Sequence, residues 1–371
     1  MTRASSSDSL SLGRETQRCG MERVTSALSS VWSWRWCPTS PSDLESVEKR
    51  MLKPVQAKTK DQMIDIGDGE IIRTLVVDNG DDNSADVPLV LVHGFGGGVG
   101  IWVKNLDALS RNRTVYAFDL LGFGRSSRPN FPPRDADAVE KRFVASIDAW
   151  RRELGIERFA LLGHSLGAYL ATSYAIAHPS RVEHLILADP WGFPVQPSTT
   201  DPVPARVRAF PWWIRGLVRV LDKFSPLAGL RAAGPWGPGL VGTFRPDFKK
   251  RFDSIFDDNT VSEYIYHCNA QAPSGEHAFK TMTKSFGWAK RPMIQRVNQL
   301  DHNIPITMVY GSRSWMDISM GEKMKELRPC SYVDIHIIDK AGHHVYSDQS
   351  TIFNNIVVQV CDRIEKDLHR E

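Results

Sequence analysis

The chain has 371 residues, 42% hydrophobic and 24% charged, the composition of an ordinary globular protein with a sizeable core. Its formal net charge of +3 is too small for a nucleic-acid-binding surface, and its basic residues are mixed with acidic ones. The five cysteines are far apart and lack metal-ligand spacing, which predicts reduced thiols in a cytosolic protein with no metal. We expect no organic cofactor and no transmembrane helix, because no run approaches the ~20 apolar residues that a membrane span requires.

The first 60 residues precede the predicted core. We expect no fixed structure up to about Gly20, because this stretch is rich in serine and other polar residues. Three tryptophans then follow close together, Trp32, Trp34 and Trp36. Beside a basic residue and outside the core, they predict a segment that lies at the headgroup level of a membrane or lipid droplet. The alternative is a segment that packs across the folded domain.

Apolar strands alternate with helical patterns over residues 61–190, the predicted first part of the core. Residues 64–77 are expected to form a hairpin, and strands are expected at 89–92 and 114–118. This alternation predicts parallel βαβ units in a doubly wound α/β sheet. Such sheets bind ligands beyond the carboxyl ends of their strands.

A glycine-rich loop, residues 93–98, follows the strand at 89–92. Glycines keep backbone N–H groups reachable, so the amide of Phe95 is a predicted donor to the oxyanion of an acyl-transfer reaction. The alternative is a loop that cradles phosphate. That alternative is disfavoured because no Gly-Lys-Ser/Thr follows and no G-x-G-x-x-G opens a helix.

A buried strand then turns into a helix at the motif Gly163-His164-Ser165-Leu166-Gly167. The pattern is typical of a nucleophile elbow, in which a strained positive φ projects the serine hydroxyl above the sheet. Small neighbours at Gly163 and Gly167 allow the strand and the helix to pass closely. Ser165 is therefore the predicted nucleophile, and the amide of Leu166 the predicted second oxyanion donor. The pattern by itself also fits a simple glycine-flanked turn.

The alternation of predicted strands and helices does not continue over residues 191–300, which are rich in proline, glycine and tryptophan. We interpret this segment as an insertion that forms a lid over Ser165. Its apolar and aromatic residues suit acyl chains. The alternative for part of them is a small core belonging to the insertion itself.

Residues 301–371 are the predicted second part of the core, and they hold the general base. A strand at 333–338 is followed by a break over residues 339–342 that ends in Gly342, and His343 comes directly after this glycine, where a base that serves Ser165 would lie. We favour His343 over the neighbouring His344 because the base of such loops directly follows the glycine. A carboxylate at Asp348 is placed to cap the final helix.

The acid that orients His343 has two candidates. Asp317 follows the strand at 304–311 and gives the chain order serine, acid, histidine. Ser314 occupies the place, three residues after the strand, where many hydrolases carry their acid. Asp189, at the end of an earlier strand, is the rival. We favour Asp317.

Several longer sequence motifs of this chain resemble those of the α/β-hydrolase domain-containing proteins 4 and 5, the N-acyl phospholipid lipase and the lipase co-activator of lipid droplets. The resemblance covers most of the chain from about Trp32 onward. The matching motifs lie at residues 36–40, 93–98, 119–129, 190–194, 264–269 and 343–348. The resemblance implies an α/β-hydrolase fold, which is a mostly parallel doubly wound sheet with a helical lid inserted after strand 6.

The resemblance also implies a function. The vertebrate co-activator has asparagine where the nucleophile belongs, whereas this chain has Ser165. This implies a serine hydrolase of N-acyl phospholipids or lysophospholipids, with lysophosphatidic acid acyltransferase activity attributed to the motif from His343 to Asp348. The alternative is a droplet-bound co-activator of a neutral lipid (triacylglycerol) lipase, with catalysis secondary or absent. Either role implies a cytoplasmic protein, peripheral on lipid droplets or intracellular membranes, with mitochondrial association as a further expectation.

Overall fold

The computed structural model describes residues 38–78, 87–197, 227–244, 246–284 and 287–369. The stretch before Gly20 and the predicted lipid-contact residues Trp32, Trp34 and Trp36 lie outside the described residues.

An eight-stranded sheet organises the fold. The described strands are β1 Lys58–Asp65, β2 Ile71–Asp78, β3 Leu89–Val92, β4 Val115–Phe118, β5 Phe159–His164, β6 Val182–Ala188, β7 Thr283–Lys284, β8 Trp288–Ala289, β9 Ile306–Gly311 and β10 Val333–Ile338. Strands β7 and β8 form a separate two-stranded sheet, and the other eight form the main sheet. The order across the sheet is β1-β2-β4-β3-β5-β6-β9-β10. The contacts from β4 to β10 are parallel, and β1 and β2 are antiparallel at one edge. The predicted mostly parallel sheet is confirmed.

Helices cover both faces of the sheet, and several of the described helices lie between β6 and β9. The described helices are α1 Pro41–Leu52, α2 Leu106–Leu109, α3 Ala136–Glu153, α4 Leu166–Ala177, α5 Ala228–Ala232, α6 Gly237–Phe244, α7 Pro246–Arg251, α8 Thr260–Ala270, α9 Ser274–Met282, α10 Ser319–Leu327, α11 Val345–Asp348 and α12 Ser350–Leu368. None of the helices in the described ranges combines the length and the apolar character that a membrane crossing requires.

The central strands are mostly apolar because helices cover both of their faces. All six residues of β5 are buried. Successive side chains point to opposite faces, so Leu161 joins the core cluster on one side of the sheet and Leu162 the cluster on the other. Burial on both faces holds the carboxyl ends of the strands at a fixed edge, where the candidate site lies.

Local sequence sets where helices α1 and α3 begin. The Ser40 side chain accepts a hydrogen bond from the amide of Asp43, and proline occupies the first turn of α1. The Asp135 carboxylate caps α3 by accepting from the amides of Asp137 and Ala138. Helix α1 then packs against α8, which belongs to the stretch between β6 and β9.

Five described helices, α5 to α9, lie between β6 and β9, within the segment where the sequence predicts an insertion. The movement of this segment as a lid, and the domain boundaries at residues 61, 191 and 301, stay predictions.

Candidate active site

Ser165 lies at the turn between β5 and α4, at the carboxyl edge of the sheet. Its backbone has φ 54° and ψ −116°, which is strained for a residue with a side chain. The amide of Ser165 donates to the Ala188 carbonyl at 3.1 Å, so it still continues the pairing of β5 with β6. Ser165 thus has the strained backbone that the elbow motif predicts, and it lies between two buried elements.

The two glycines of the motif are required by close backbone approach. A Cβ built on Gly163 would lie 2.4 Å from the Gly167 carbonyl oxygen. A Cβ on Gly167 would lie 2.3 Å from the Val92 carbonyl oxygen. Both distances are far inside van der Waals contact, so no larger residue fits without moving the backbone. Close approach of strand and helix backbone is what a nucleophile elbow requires.

His343 lies within hydrogen-bond distance of the Ser165 hydroxyl. The distance from His343 Nε2 to Ser165 Oγ is 3.0 Å. The loop after β10 carries the imidazole to this point, and the indole of Trp315 lies against it with ring centroids 5.2 Å apart. The arrangement has the reach that a general base needs to accept the serine proton.

Asp189, and not Asp317, contacts His343. The distance from His343 Nδ1 to Asp189 Oδ2 is 2.5 Å, and Asp189 is fully buried. The preferred prediction of Asp317 as the orienting acid is wrong at the level of contacts. Asp317 lies in an exposed loop, where its carboxylate accepts hydrogen bonds from the amide and hydroxyl of Ser319.

Strand order explains this correction. Asp189 directly follows β6, which is the neighbour of β5 and thus of Ser165, whereas Asp317 lies six residues beyond the end of β9. The chain order serine, acid, histidine holds for both aspartates, so it could not choose between them. Only the distances separate the two candidates.

Ser314 was a signal that the sequence already offered. It stands three residues after β9, and its hydroxyl donates to Asp189 Oδ2. The Gly311 amide also donates to Asp189, at 3.3 Å to Oδ1. The end of β9 and the loop after it therefore supply donors to the carboxylate that follows β6, instead of a carboxylate of their own.

His164, which sequence analysis left without a role, supports the histidine loop. Its Nε2 lies 2.9 Å from the His343 carbonyl oxygen and must donate, because a carbonyl only accepts. Burial, followed by the neighbouring His343, holds the pKa of His164 well below its ordinary value. The neutral ring lies beside the catalytic candidates, and its Nδ1 has no hydrogen-bond partner among the described residues.

The glycine-rich loop after β3 lies directly beside the elbow. A Cβ built on Gly94 would lie 3.1 Å from the Cβ of Ser165. Asn269 of α8 holds the loop by donating to the Gly96 carbonyl at 2.8 Å. Phe95 follows Gly94, and Leu166 follows Ser165 at the start of α4, where helix amides have no partner within the helix. Leu166 is thus the chain neighbour of Ser165, and the loop that carries Phe95 lies beside Ser165 in space.

Asp348 does not cap the final helix, contrary to the prediction. The first residues of α12 receive no side-chain cap. Asp348 ends α11, its Oδ2 accepts from the Gly342 amide at 2.7 Å, and its Oδ1 accepts from Arg251 Nε at 2.7 Å. The carboxylate therefore contacts the loop of His343 through the backbone of Gly342.

A cavity of about 570 Å³ opens above Ser165. Its lining combines catalytic candidates with apolar and aromatic residues from the core and from the stretch between β6 and β9. Members of this lining are Ser165, His343, Phe95, Ile101, Trp191, Phe248, Ile265, Phe279, Arg313 and Trp315. Such a size and lining suit an acyl chain with a polar end.

The described cysteines are not among the residues that line this cavity. In the described ranges, no cluster of histidine, cysteine or acidic residues is arranged to hold a metal ion. Cys268, Cys330 and Cys361 are free thiols, and burial raises the pKa of Cys361 to about 11. Cys19 and Cys37 lie outside the described residues.

Comparison with known proteins agrees with this geometry. A sequence model of the family described as "alpha/beta hydrolase fold" matches residues 87–350. Two solved structures share the fold at low identity. Carboxylesterase CesB from Bacillus subtilis has a TM-score of 0.60 and 16% identity, covering 86% of this chain and 96% of that one. A membrane phospholipase A described as a bacterial virulence factor has a TM-score of 0.59 and 21% identity, covering 94% and 99%.

Curated relatives are much more similar in sequence. The bovine protein named (Lyso)-N-acylphosphatidylethanolamine lipase is 54% identical over 88% of this chain and 94% of its own length. Its human counterpart is 53% identical over the same shares. The human protein named 1-acylglycerol-3-phosphate O-acyltransferase ABHD5 is 51% identical over 88% of this chain and 92% of its own.

Proposed function

Because this chain belongs to the α/β-hydrolase family, in the group of (lyso)-N-acylphosphatidylethanolamine lipases and ABHD5 proteins, we propose that it is a serine hydrolase of glycerophospholipids. Its substrates are N-acyl phospholipids or lysophospholipids, and the bond it cleaves is an acyl ester. The observation that carries the proposal is the chain of contacts from Ser165 through His343 to Asp189, at 3.0 and 2.5 Å.

The first half of the reaction uses all three residues. Ser165 Oγ attacks the ester carbonyl while His343 Nε2 accepts the hydroxyl proton. Asp189 accepts the hydrogen bond from His343 Nδ1, which keeps Nε2 free to accept and stabilises the imidazolium that forms. His343 then returns the proton to the leaving alkoxide as the carbon–oxygen bond breaks. The acyl group remains on Ser165 as an ester, and the lysolipid alcohol leaves.

Backbone amides stabilise the negative charge on the carbonyl oxygen. The proposed donors are the N–H groups of Leu166 and Phe95. The first amide of a helix points outward without a partner in the helix, and the loop of Phe95 lies beside Ser165. Removal of one such donor typically costs about 3 to 4 kcal/mol of transition-state stabilisation.

In the second half of the reaction, the acyl group on Ser165 is transferred to an acceptor. Water attacks the acyl-enzyme with His343 as base, which completes hydrolysis. A lysophosphatidic acid hydroxyl takes the same place in an acyl transfer, and the name of the ABHD5 relatives supports this secondary activity. Both outcomes require the same acyl-enzyme on Ser165.

The alternative role, a droplet-bound co-activator of a triacylglycerol lipase, places no demand on Ser165. In both roles the protein would act at the surface of a lipid droplet or an intracellular membrane, through Trp32, Trp34 and Trp36. Mitochondrial association remains part of this proposal about location. The same serine variant therefore separates the two roles.

The decisive experiment replaces the nucleophile. The wild-type protein is expected to react covalently with a fluorophosphonate probe at Ser165, and to release fatty acid from N-acylphosphatidylethanolamine or its lyso form. The Ser165→Ala variant is expected to lose labelling and to lose at least about 10³-fold in kcat, because no oxygen remains to form the acyl-enzyme. Peptide mass spectrometry identifies the labelled residue.

Ser319→Ala is the matched control and should label normally, because the Ser319 hydroxyl donates to the exposed Asp317 and Ser319 is not among the residues that line the cavity above Ser165. A wild-type protein that resists the probe, or a Ser165→Ala variant that turns over phospholipid as before, would overturn the hydrolase proposal. Stimulation of a triacylglycerol lipase that survives Ser165→Ala, without any turnover by the wild type, would establish the co-activator role instead.

A further inference from the structure

The loop that carries His343 is held at two successive backbone groups. The Gly342 N–H donates to Asp348 Oδ2 at 2.7 Å. The His343 carbonyl accepts from His164 Nε2 at 2.9 Å. With both groups fixed, the loop has little freedom to move the imidazole along the direction of Ser165.

Asp348 is itself held from the stretch between β6 and β9. Arg251, the last residue of α7, donates from Nε to Asp348 Oδ1 at 2.7 Å. The two side chains are only 16% and 15% exposed, so water screens this pair less than a surface pair. Arg251 also pairs with Asp247 at 2.7 Å, and its guanidinium lies over the ring of Phe248. These two contacts hold the Arg251 guanidinium in the position from which it donates to Asp348.

A second cation ties the same elements together. Lys104 Nζ donates to the Arg251 carbonyl at 2.8 Å and to the Ser347 carbonyl at 3.2 Å. The end of α7 and the end of α11 are therefore joined through both side chains and backbone. Arg251, Phe248 and His343 all line the cavity above Ser165.

We propose that Asp348 is a positioning residue for His343, and that Arg251 links it to the wall of the substrate cavity. The proposal rests on the proposed hydrolase function. Asp348 then serves hydrolysis and acyl transfer equally, because it acts on the histidine before the acceptor is chosen. This differs from a motif in which His343 and Asp348 together catalyse acyl transfer, since the carboxylate faces the backbone of Gly342 and not the reacting atoms.

The test compares substitutions that remove one or both contacts of Asp348. Asp348→Ala removes the acceptor and the charge, whereas Asp348→Asn keeps an oxygen that can accept from Gly342. We expect Asp348→Ala to lower kcat about 10- to 100-fold with KM nearly unchanged, because a displacement of about 1 Å can cost that much. Asp348→Asn should recover most of the loss. Fluorophosphonate labelling of Ser165, which needs His343 but no lipid, should slow by the same factor.

Two further variants separate positioning from general damage. Arg251→Gln should reduce kcat in the same direction as Asp348→Ala, and the double variant should lose no more than Asp348→Ala alone. Arg181→Gln is the matched control, because Arg181 pairs with Glu157 just before the start of β6, at the end of the strand opposite to the carboxyl edge that holds the site. It should retain kcat within about twofold. If Asp348→Ala does not fold, the comparison of Arg251→Gln with Arg181→Gln decides the question.

Acyl transfer to lysophosphatidic acid and hydrolysis are measured on the same samples. Equal losses in both support the positioning role. A loss confined to acyl transfer, or a wild-type kcat in a folded Asp348→Ala variant, would contradict it. If the wild type fails to label at Ser165, the hydrolase proposal fails by itself. In that case a shift of the His343 imidazole resonances in Asp348→Ala still tests the positioning, and unchanged resonances would refute it.

Discussion

At the scale of single residues, the candidate site depends on which carboxylate reaches His343. Asp189 is fully buried and receives hydrogen bonds from the Gly311 amide and from the Ser314 hydroxyl. These donors hold the carboxylate in place and satisfy its oxygens without bulk water. Asp317 instead accepts from its near neighbour Ser319 in an exposed loop. The two aspartates offer a direct comparison.

We expect Asp189→Asn to lower kcat for ester hydrolysis by about 10⁴-fold. An asparagine amide can donate to His343 Nδ1, which would leave the proton on Nε2 and prevent it from accepting from Ser165. Asp317→Asn should retain kcat within about twofold. Steady-state kinetics on a short-chain ester measure both variants. A large loss in Asp317→Asn beside an active Asp189→Asn would reverse the assignment.

At the scale of elements, the crossing of β5, α4 and the end of β3 fixes Ser165. Gly163 faces the backbone of Gly167, and Gly167 faces the backbone of Val92. Three backbone segments therefore touch without any side chain between them. This contact allows a strained residue to persist, because the surrounding buried elements determine its position.

We expect Gly163→Ala to destabilise the protein by about 3 kcal/mol or more, since a Cβ would lie 2.4 Å from a carbonyl oxygen that cannot move freely. The control is Gly229→Ala in α5, where a Cβ would meet no atom within 4 Å. That change should be neutral or stabilise by up to about 1 kcal/mol, because alanine favours helix. Urea unfolding measures both. Equal midpoints for Gly163→Ala and the wild type would refute the steric argument.

At the scale of the whole molecule, buried neutral histidines link stability to pH. Burial, followed by the charge of Arg363, lowers the pKa of His184 to about 3. Its Nε2 lies 2.8 Å from the Thr307 hydroxyl, which joins β6 to β9. Burial also lowers the pKa of His93 and of His164. Below the ordinary pKa of about 6.5, the unfolded chain binds protons at these positions that the folded protein does not bind.

His184 should therefore contribute stability that is fully present above about pH 6.5 and is lost as the pH falls toward 3. We expect His184→Gln, which lacks this titration, to weaken the fall of the unfolding free energy by about 1.4 kcal/mol per pH unit well below pH 6.5. Urea unfolding of both proteins at pH 6.5, 5.5 and 4.5 measures the two slopes. Parallel slopes would show that His184 is protonated in the folded state.

The sequence by itself determined the α/β class, the elbow at Ser165 and the histidine at 343, because each depends on local pattern. Apolar runs predict buried strands, and a serine between glycines predicts a strained turn. The family assignment also followed from sequence motifs, and it agrees with the relatives that are 51 to 54% identical to this chain.

Only the tertiary structure decided which acid reaches His343, what Asp348 binds, and that His164 supports the catalytic loop. Asp189 and Asp317 are equally plausible along the chain, since both lie between the serine and the histidine. Their difference is the position of β6 between β5 and β9, which strand order across the sheet creates and which no spacing in the chain encodes. Contacts over long chain separations depend on how the strands are arranged, so local residue patterns could not fix them.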